Sequence, residues 1–255
     1  MIYMRFDIIT IFPNIFFAKG GSYLNESILK RAQKNKLIDI KIHNLRDFTK
    51  DKHHKVDDRS FGGGPGMVFK IEPIARAIGS ILRIKNYESP HINTYVGDEL
   101  RIKKKTKIIL FTPSGKQFDN KIAKQLADKY DNLILICGRY EGIDARVKKV
   151  IYDLGFKIQE ISIGPYVLTG GELPAMVLID SVSRQIPGVL GNIQSLEEGR
   201  YGLPVYPHTK RSCGVGVYTR PEVFVYKNKK YRVPKILLSG DHKKIEKWRN
   251  KKIKV

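Results

Sequence analysis

The stretch that decides the fold is "NLILICGRYEGID", residues 132–144. It opens with an unbroken apolar run, which is typical of a strand covered on both faces of a sheet. A short turn with two glycines follows, and "IDARVKKVI", residues 143–151, then has the spacing of a helix. A strand that passes through a short loop into a helix is the repeating unit of a parallel α/β sheet.

Strands and helices alternate on both sides of this unit. Apolar or alternating runs predict strands at 5–12, 38–45, 107–113, 132–138 and 157–164. Helical spacing predicts helices at 25–37, 71–84, 118–130, 143–151 and 173–186. The predicted fold class is therefore α/β with a mainly parallel sheet.

Three glycine-containing loops leave the ends of three of these strands. They are "TPSG" after 107–111, "GRYEGID" after 132–137 and "GPYVLTGGELP" after 158–163. Because ligands of parallel sheets bind beyond the carboxyl ends of the strands, we expect the loops to meet at one pocket. Glycine lets backbone N–H and C=O groups come close to a base edge, so the pocket suits an adenosine-type ligand.

A fourth glycine-rich segment, "FGGGPGM" at residues 61–67, leaves two interpretations open. It is no P-loop, because no Lys-Ser/Thr pair follows Gly66. Its glycines match the G-x-G-x-G loop of many Rossmann-type methyltransferases. However, the preceding "HHKVDDRS" is polar, whereas such a loop follows a buried strand. A tight surface loop is the simpler alternative.

The composition indicates a polyanionic partner. The chain has 255 residues, with 47 Lys and Arg against 25 Asp and Glu, a net charge of +22. Such an imbalance favours nucleic acid over a membrane surface. A lysine-rich codon bias or selection for solubility is the alternative.

The cysteines and the apolar runs point to a cytoplasmic protein with no membrane partner. The two cysteines form no disulfide framework, and Cys137, inside an apolar run, is expected to be a small buried residue rather than a nucleophile. The histidines and cysteines show no zinc spacing. No signal peptide or run of about 20 apolar residues is recognisable.

The predicted domain organisation has three parts. Residues 1–190 form the α/β domain, with an insert near 86–105. Residues 191–217, rich in Gly and Pro, are expected to be a flexible linker. Residues 218–255 form a short basic C-terminal unit, in which "DHKKIEKWRNKKIKV" predicts a helix. Basic charge beside Trp248 suits contact with nucleic acid, and a solvated helix face is the alternative.

Six segments, in chain order, resemble one family. They are "VDDRSFGGGPGM", "CGRYEGID", "SIGPYVLTGGELPAMVLIDSVSR", "IPGVLGN", "YTRPEVF" and "LLSGDHKKIEKWR". The chain resembles the bacterial tRNA (guanine-N1)-methyltransferases that modify position 37, within the SPOUT superfamily. The resemblance implies a deep trefoil knot, a homodimer with active sites between the subunits, and a small, mostly helical C-terminal domain for tRNA. It also implies S-adenosylmethionine as cofactor, and any Mg²⁺ with RNA or substrate rather than in a protein cage.

The resemblance also assigns a cofactor site to residues of the three loops. Glu141 is expected to meet the ammonium group of the cofactor, and the alternative is a helix N-terminal acid that interacts with the helix dipole. The implied cofactor residues are Leu110, Phe111, Thr112, Pro113, Gly138, Tyr140, Glu141, Ile163, Gly164, Pro165, Tyr166, Val167, Leu168, Gly170, Gly171 and Pro174.

The implied catalytic pair is an arginine and a carboxylate. Arg184 maps to the family arginine, and a salt bridge with Asp180 is the structural alternative. The family carries its catalytic Asp in an acidic cluster, but no Asp occurs from 181 to 240. Glu198 is the favoured base and Glu197 the second choice, unless both are solvated linker acids. The implied substrate-binding residues are Asp57, Asp58, Arg59, Gly63, Gly64 and Pro65.

Two rival functions remain open. A related SPOUT methyltransferase would act at another tRNA position or on ribosomal RNA, but the "VDDRSFGGGPGM" block is the mark of the position-37 enzymes. An RNA-binding or chaperone protein would keep the fold without catalysis, and the missing Asp is the only observation in its favour.

Overall fold

The computed structural model describes residues 4–17, 22–83, 105–191 and 218–252. The chain divides into two units, Met1–Leu196 and Glu197–Val255, which are described separately. Most of the predicted insert and linker, together with Glu197 and Glu198, lies outside the described residues. The predicted domain boundaries therefore stay predictions.

A five-stranded parallel sheet forms the centre of the first unit. The strands of the first unit are β1 (Met4–Thr10), β2 (Ile38–Asn44), β3 (Asp57–Asp58), β4 (Val68–Phe69), β5 (Thr106–Gln117), β6 (Asn132–Ile136) and β7 (Ile158–Ser162). The strand order of the sheet is β2-β1-β6-β5-β7, and every pairing is parallel. An antiparallel two-stranded ribbon, β3 with β4, flanks the glycine-rich segment. The predicted mainly parallel α/β sheet is confirmed.

Helices cover both faces of this sheet. They are α1 (Asn14–Phe17), α2 (Ser27–Lys34), α3 (Ile71–Ile81), α4 (Asn120–Lys129), α5 (Arg146–Asp153) and α6 (Glu172–Arg184), with 3₁₀ turns at Tyr23–Asn25 and Leu45–Phe48. Helix α4 begins where the Asp119 side chain accepts a hydrogen bond from the Ile122 N–H at 2.7 Å. Pro73 lies in the first turn of α3, where its missing N–H costs no hydrogen bond.

Two apolar cores result, one on each face of the sheet. In β1, Phe6 and Ile8 belong to the core that contains Leu178 of α6. Ile9 belongs to the core that contains Ile78 of α3. Because both faces are covered, strands such as β6 are buried along their whole length. This explains the continuous apolar runs of the sequence.

Strand β5 is longer than predicted because it contains a bulge. The sequence predicts a strand at 107–113, but pairing with β7 resumes at Lys116 after a register shift that begins at Phe111. Phe111 and Lys116 both pair with Ile161, so "TPSG" bulges out between them. A Cβ on Gly115 would lie 2.6 Å from the Ile161 backbone nitrogen, so only glycine fits where the strand returns.

The second unit holds a β-hairpin and a helix. Strands β8 (Val223–Tyr226) and β9 (Lys229–Arg232) pair antiparallel, followed by a 3₁₀ turn at Lys235–Leu238 and helix α7 (His242–Lys252). The helix was predicted and the hairpin was not. Its turn residues, Lys227 and Asn228, both have positive φ, as a type I′ turn requires. The two turn residues are Lys-Asn and not the Asn-Gly pair that commonly marks such a turn in a sequence.

Candidate active site

A cavity of about 310 Å³ opens at the bulge of β5 and at the carboxyl ends of β6 and β7. Its wall is built from the bulge of β5, the loop after β6 and the loop after β7. The three loops that the sequence singles out therefore meet at one place, as predicted for the carboxyl edge of a parallel sheet.

Nearly all of the implied cofactor residues line this cavity. Gly164 and Pro165 are the exceptions: Gly164 is buried, and its carbonyl accepts a hydrogen bond from Ser162 Oγ at 2.9 Å. The lining members are Leu110, Phe111, Thr112, Pro113, Gly138, Tyr140, Glu141, Ile163, Tyr166, Val167, Leu168, Gly170, Gly171 and Pro174. Their proximity fits one binding site, and their role as cofactor contacts stays a prediction.

The cavity has mixed chemistry, with an apolar wall and a few charged groups. Glu160 is paired with Lys148, whose Nζ lies 2.8 Å from Oε1. Glu141 is exposed, and it has no ion-pair partner among the residues that the structure describes. It is therefore the carboxylate on this wall that is available to a cationic ligand group.

Sequence reasoning missed a charged pair beside this cavity, Arg139 and Glu172. Arg139 Nε donates to Glu172 Oε2 at 3.3 Å, and Thr10 Oγ1 donates to Glu172 Oε1 at 2.8 Å. The Arg139 guanidinium also lies 4.3 Å from the ring centre of Phe12, a cation–π distance. Glu172 is buried. The sequence feature that could have drawn attention to it is an acidic residue at the start of an otherwise apolar helix.

The loop after β7 crosses tightly over the end of β6. The Gly171 N–H donates to the Gly138 carbonyl at 3.0 Å. A Cβ on Gly171 would lie 2.6 Å from Cys137 Cα, so the crossing admits only glycine. Burial raises the pKa of the Cys137 thiol well above its usual range, and the Glu172 charge adds to the effect. Cys137 is thus a small buried residue, as expected.

The glycine-rich segment at residues 61–67 lies against the loop after β6, which forms part of the cavity wall. The Glu141 N–H donates to the Met67 carbonyl at 3.1 Å, and the Phe69 N–H donates to Gly142 at 3.0 Å. Gly66 has a φ of +84°, and a Cβ there would lie 2.8 Å from Glu141 Cγ. Residues 61–66 are exposed. The segment is therefore a surface loop, and it is held beside the cavity.

The implied substrate residues lie at the base and the tip of this surface loop. Asp57 and Asp58 form β3, and hydrogen bonding from the Arg59 N–H, with Lys70 nearby, lowers the pKa of Asp58. Asp58 and Arg59 also line a second, open groove of about 1000 Å³. Gly63, Gly64 and Pro65, at the exposed tip, line neither cavity.

Arg184 lies at the end of α6, away from the lining of the smaller cavity. Its Nε is buried without a hydrogen-bond partner among the described residues. No ion pair joins Arg184 to Asp180 in the described part of the chain, so the salt bridge that was the structural alternative is absent there. Burial raises the pKa of Tyr23, and the nearby Asp180 charge adds to the effect.

The described residues contain neither a metal-binding cluster nor a membrane-spanning helix. No group of three or more His, Cys, Asp or Glu side chains is arranged to hold a metal ion within 4–17, 22–83, 105–191 and 218–252. Within the same ranges, none of the helices has the length and apolar character needed to span a membrane.

Comparison with known proteins identifies the family. Residues 4–255 match the model of the family described as "tRNA (Guanine-1)-methyltransferase TrmD". A protein of Dictyoglomus turgidum named tRNA (guanine-N(1)-)-methyltransferase is 46% identical over 250 residues, which cover 97% of this chain and 84% of that protein. Proteins of the same name from Clostridioides difficile and Thermomicrobium roseum are 45% and 47% identical, covering 96% of this chain and 90% and 77% of theirs. The chain therefore belongs to the tRNA (Guanine-1)-methyltransferase TrmD family and is a methyltransferase enzyme.

Proposed function

We propose that this chain transfers a methyl group from S-adenosylmethionine to N1 of guanosine 37 in tRNA. One observation carries the proposal: three loops enclose a single cavity in a chain whose relatives are named tRNA (guanine-N(1)-)-methyltransferase. The net charge of +22 suits an RNA substrate.

The residues of the cavity fit the proposed cofactor. Its volume of about 310 Å³ lies at the lower end of the range for small-molecule sites. Leu110, Ile163 and Leu168 offer an apolar surface for an adenine ring. Glu141 offers a carboxylate for the ammonium group. When bound, S-adenosylmethionine supplies an electrophilic methyl group on its sulfonium.

The protein's part in the chemistry is to move one proton and to hold one charge. Guanine N1 carries a proton near neutral pH, so a base must remove it before N1 can attack. We assign this base to Glu198, with Glu197 as the alternative. Negative charge grows on guanine O6 as the proton leaves, and we assign its stabilisation to the Arg184 guanidinium.

The surroundings of Arg184 support this assignment. Its buried Nε has no partner within the described part of the chain, and no ion pair there neutralises its charge. The buried Nε itself is out of reach of RNA, but Arg184 as a whole is only half-buried, so its side chain can present a donor to an RNA oxygen.

We further propose a homodimer whose interface includes one face of α6. Leu173 and Val177 are exposed on this helix, and Phe12 and Ile15 are exposed on the first unit as well. Leu173, Val177 and Arg184 share a face, since they are spaced by multiples of a helical turn. A second copy on this face would cover the apolar side chains and bring Arg184 to the boundary between the subunits.

We also propose a deep trefoil knot. The close crossing of Gly171 over Cys137 and the bridge between Arg139 and Gly170 support a chain that threads through its own loops. An experimental structure that traces residues 105–191 would test the threading.

We further propose that residues 218–255 bind tRNA, that any Mg²⁺ sits with RNA or substrate, and that the protein works in the cytoplasm.

Labelled methyl transfer tests the proposed function. The chain is incubated with labelled S-adenosylmethionine and a tRNA transcript that carries guanosine 37, beside the same transcript with adenosine 37. We expect label in the guanosine transcript only, and loss of most of it in Glu198→Gln. If neither transcript is labelled although the cofactor binds, the proposed reaction at guanosine 37 is wrong.

A further inference from the structure

The β8–β9 hairpin has two chemically different faces. Phe224 pairs with Tyr231, and Tyr226 pairs with Lys229, across the two strands. Because side chains alternate along a strand, these four residues share one face, here called the aromatic face. The opposite face carries Val223, Val225, Lys230 and Arg232.

The rings of the aromatic face form a continuous exposed platform. The centroids of Phe224 and Tyr226 are 6.4 Å apart with only 9° between the ring planes, and Tyr231 lies 6.4 Å from Phe224. Phe224 and Tyr226 are each 56% exposed and Tyr231 is 49% exposed. Three adjoining rings left open to solvent mark a surface that binds a partner.

Two lysine ammonium groups lie close to these rings. The Lys227 ammonium is 5.6 Å from the ring centre of Tyr226, and the Lys229 ammonium is 5.6 Å from that of Tyr231. No Asp or Glu occurs from 223 to 240. Surfaces that dock proteins are depleted in lysine, whereas aromatic rings with cations beside them suit single-stranded nucleic acid.

We propose that the aromatic face binds unpaired nucleotides of the RNA substrate. Bases stack on Phe224, Tyr226 and Tyr231, and the lysine ammonium groups meet the phosphates between those bases. This inference rests on the proposed function, because it takes the RNA to be the tRNA that is methylated. It adds a site at which the unpaired bases of a tRNA loop are held.

The test uses the full chain and measures RNA binding separately from methyl transfer. The probes are a fluorescent single-stranded oligonucleotide and a tRNA transcript, with binding followed by anisotropy at two salt concentrations. Tyr226→Ala and Tyr231→Ala remove rings from the aromatic face. Val225→Ala is the matched control, since Val225 is 55% exposed on the opposite face of the same strand. Tyr231→Phe retains a ring.

We expect each ring deletion to weaken oligonucleotide binding about tenfold, within the range of a lost base–aromatic stack. Val225→Ala and Tyr231→Phe are expected to bind like the parent, and the melting temperatures of all four variants to match it. For tRNA methylation, the ring deletions are expected to raise KM and leave kcat unchanged. Lys229→Ala is expected to reduce the slope of the logarithm of the binding constant against the logarithm of the salt concentration. The reduction should equal the contribution of about one phosphate contact.

The outcomes separate this inference from the proposed function. Parent affinity in both ring deletions, or an equal loss in Val225→Ala, overturns the aromatic face as an RNA site while leaving methyl transfer untouched. A parent chain that methylates no tRNA, but loses oligonucleotide binding in the ring deletions, overturns the proposed function and supports the RNA site.

Discussion

Arg139 Nε lies 3.3 Å from Glu172 Oε2, although 33 residues separate the two along the chain. Arg139 belongs to the loop after β6, and Glu172 opens helix α6. The pair therefore fixes the loop after β6 to helix α6, which carries Arg184. Because Thr10 holds the other carboxylate oxygen, the end of β1 is tied to the same point.

This relationship predicts a stability cost for Glu172→Gln. The amide keeps the shape but leaves the Arg139 guanidinium, whose side chain is only 23% exposed, without its counter-charge. We expect the free energy of unfolding in urea to fall by about 1–3 kcal/mol. The matched control is Glu72→Gln, since Glu72 also opens a helix but is exposed. It is expected to change the free energy by less than about 1 kcal/mol, and equal losses would contradict the role of the pair.

The crossing at Gly171 predicts that Gly171→Ala destabilises the protein. An added methyl group would meet the Cys137 backbone at 2.6 Å, so one of the two segments would have to shift. Overpacking of this kind costs about 1–3 kcal/mol, measured as a lower midpoint in urea. Gly191→Ala is the control, because a Cβ there meets nothing within 4 Å. A Gly171→Ala protein as stable as the parent would show that the crossing is loose.

Glu141 is expected to contribute to binding of S-adenosylmethionine. Glu141→Gln removes its charge, and we expect the Kd, measured by calorimetry, to rise about tenfold, in line with a hydrogen bond to a charged group. Glu160→Gln is the control, since Glu160 lines the same cavity but is paired with Lys148. A larger effect from Glu160→Gln would move the ammonium site to the other side of the cavity.

Arg184 is expected to act in the methyl-transfer step. Arg184→Ala should lower kcat by about 10²–10³-fold, as removal of a donor to a developing oxyanion does. Arg184→Lys should recover little, because an ammonium lacks the planar fork. Asp180→Asn separates this role from a structural one: Asp180 lies on the same helix near Tyr23 and has no assigned part in the chemistry, so its loss should leave kcat near the parent value. Equal kcat losses in Asp180→Asn and Arg184→Ala would favour a purely structural role.

Cys137 is expected to resist thiol reagents. Its thiol is buried, and burial raises its pKa, so the thiolate that reacts is scarce at pH 8. In a Cys213→Ser chain, a disulfide reagent should label Cys137 slowly in buffer and fully in denaturant. Rapid labelling of the folded chain would show that the end of β6 opens readily.

The sequence was informative about the sheet because burial leaves a clear pattern there. The runs in β1, β5 and β6 are apolar because both faces are covered, and the three glycine-containing segments at β5, β6 and β7 converge by the geometry of parallel strands. The long-range partners were not predictable, since nothing local indicates that Glu172 binds Thr10 and Arg139.

Two other features were hidden for physical reasons. The β5 bulge depends on Lys116 pairing again with β7, a contact between segments far apart in sequence. The β8–β9 hairpin lacks a glycine at its turn and is exposed on both faces, so neither turn signal nor apolar alternation marks it. The choice of base stays a prediction, because Glu197 and Glu198 lie outside the described residues.

The most direct test of the central claim is the identity of the methylated nucleoside. A tRNA transcript with guanosine 37 is incubated with the chain and S-adenosylmethionine, digested to nucleosides and separated by chromatography with mass detection. We predict 1-methylguanosine, formed with the guanosine transcript and absent with the adenosine transcript. A methyl group on another guanine atom, or on another nucleoside, would contradict the account.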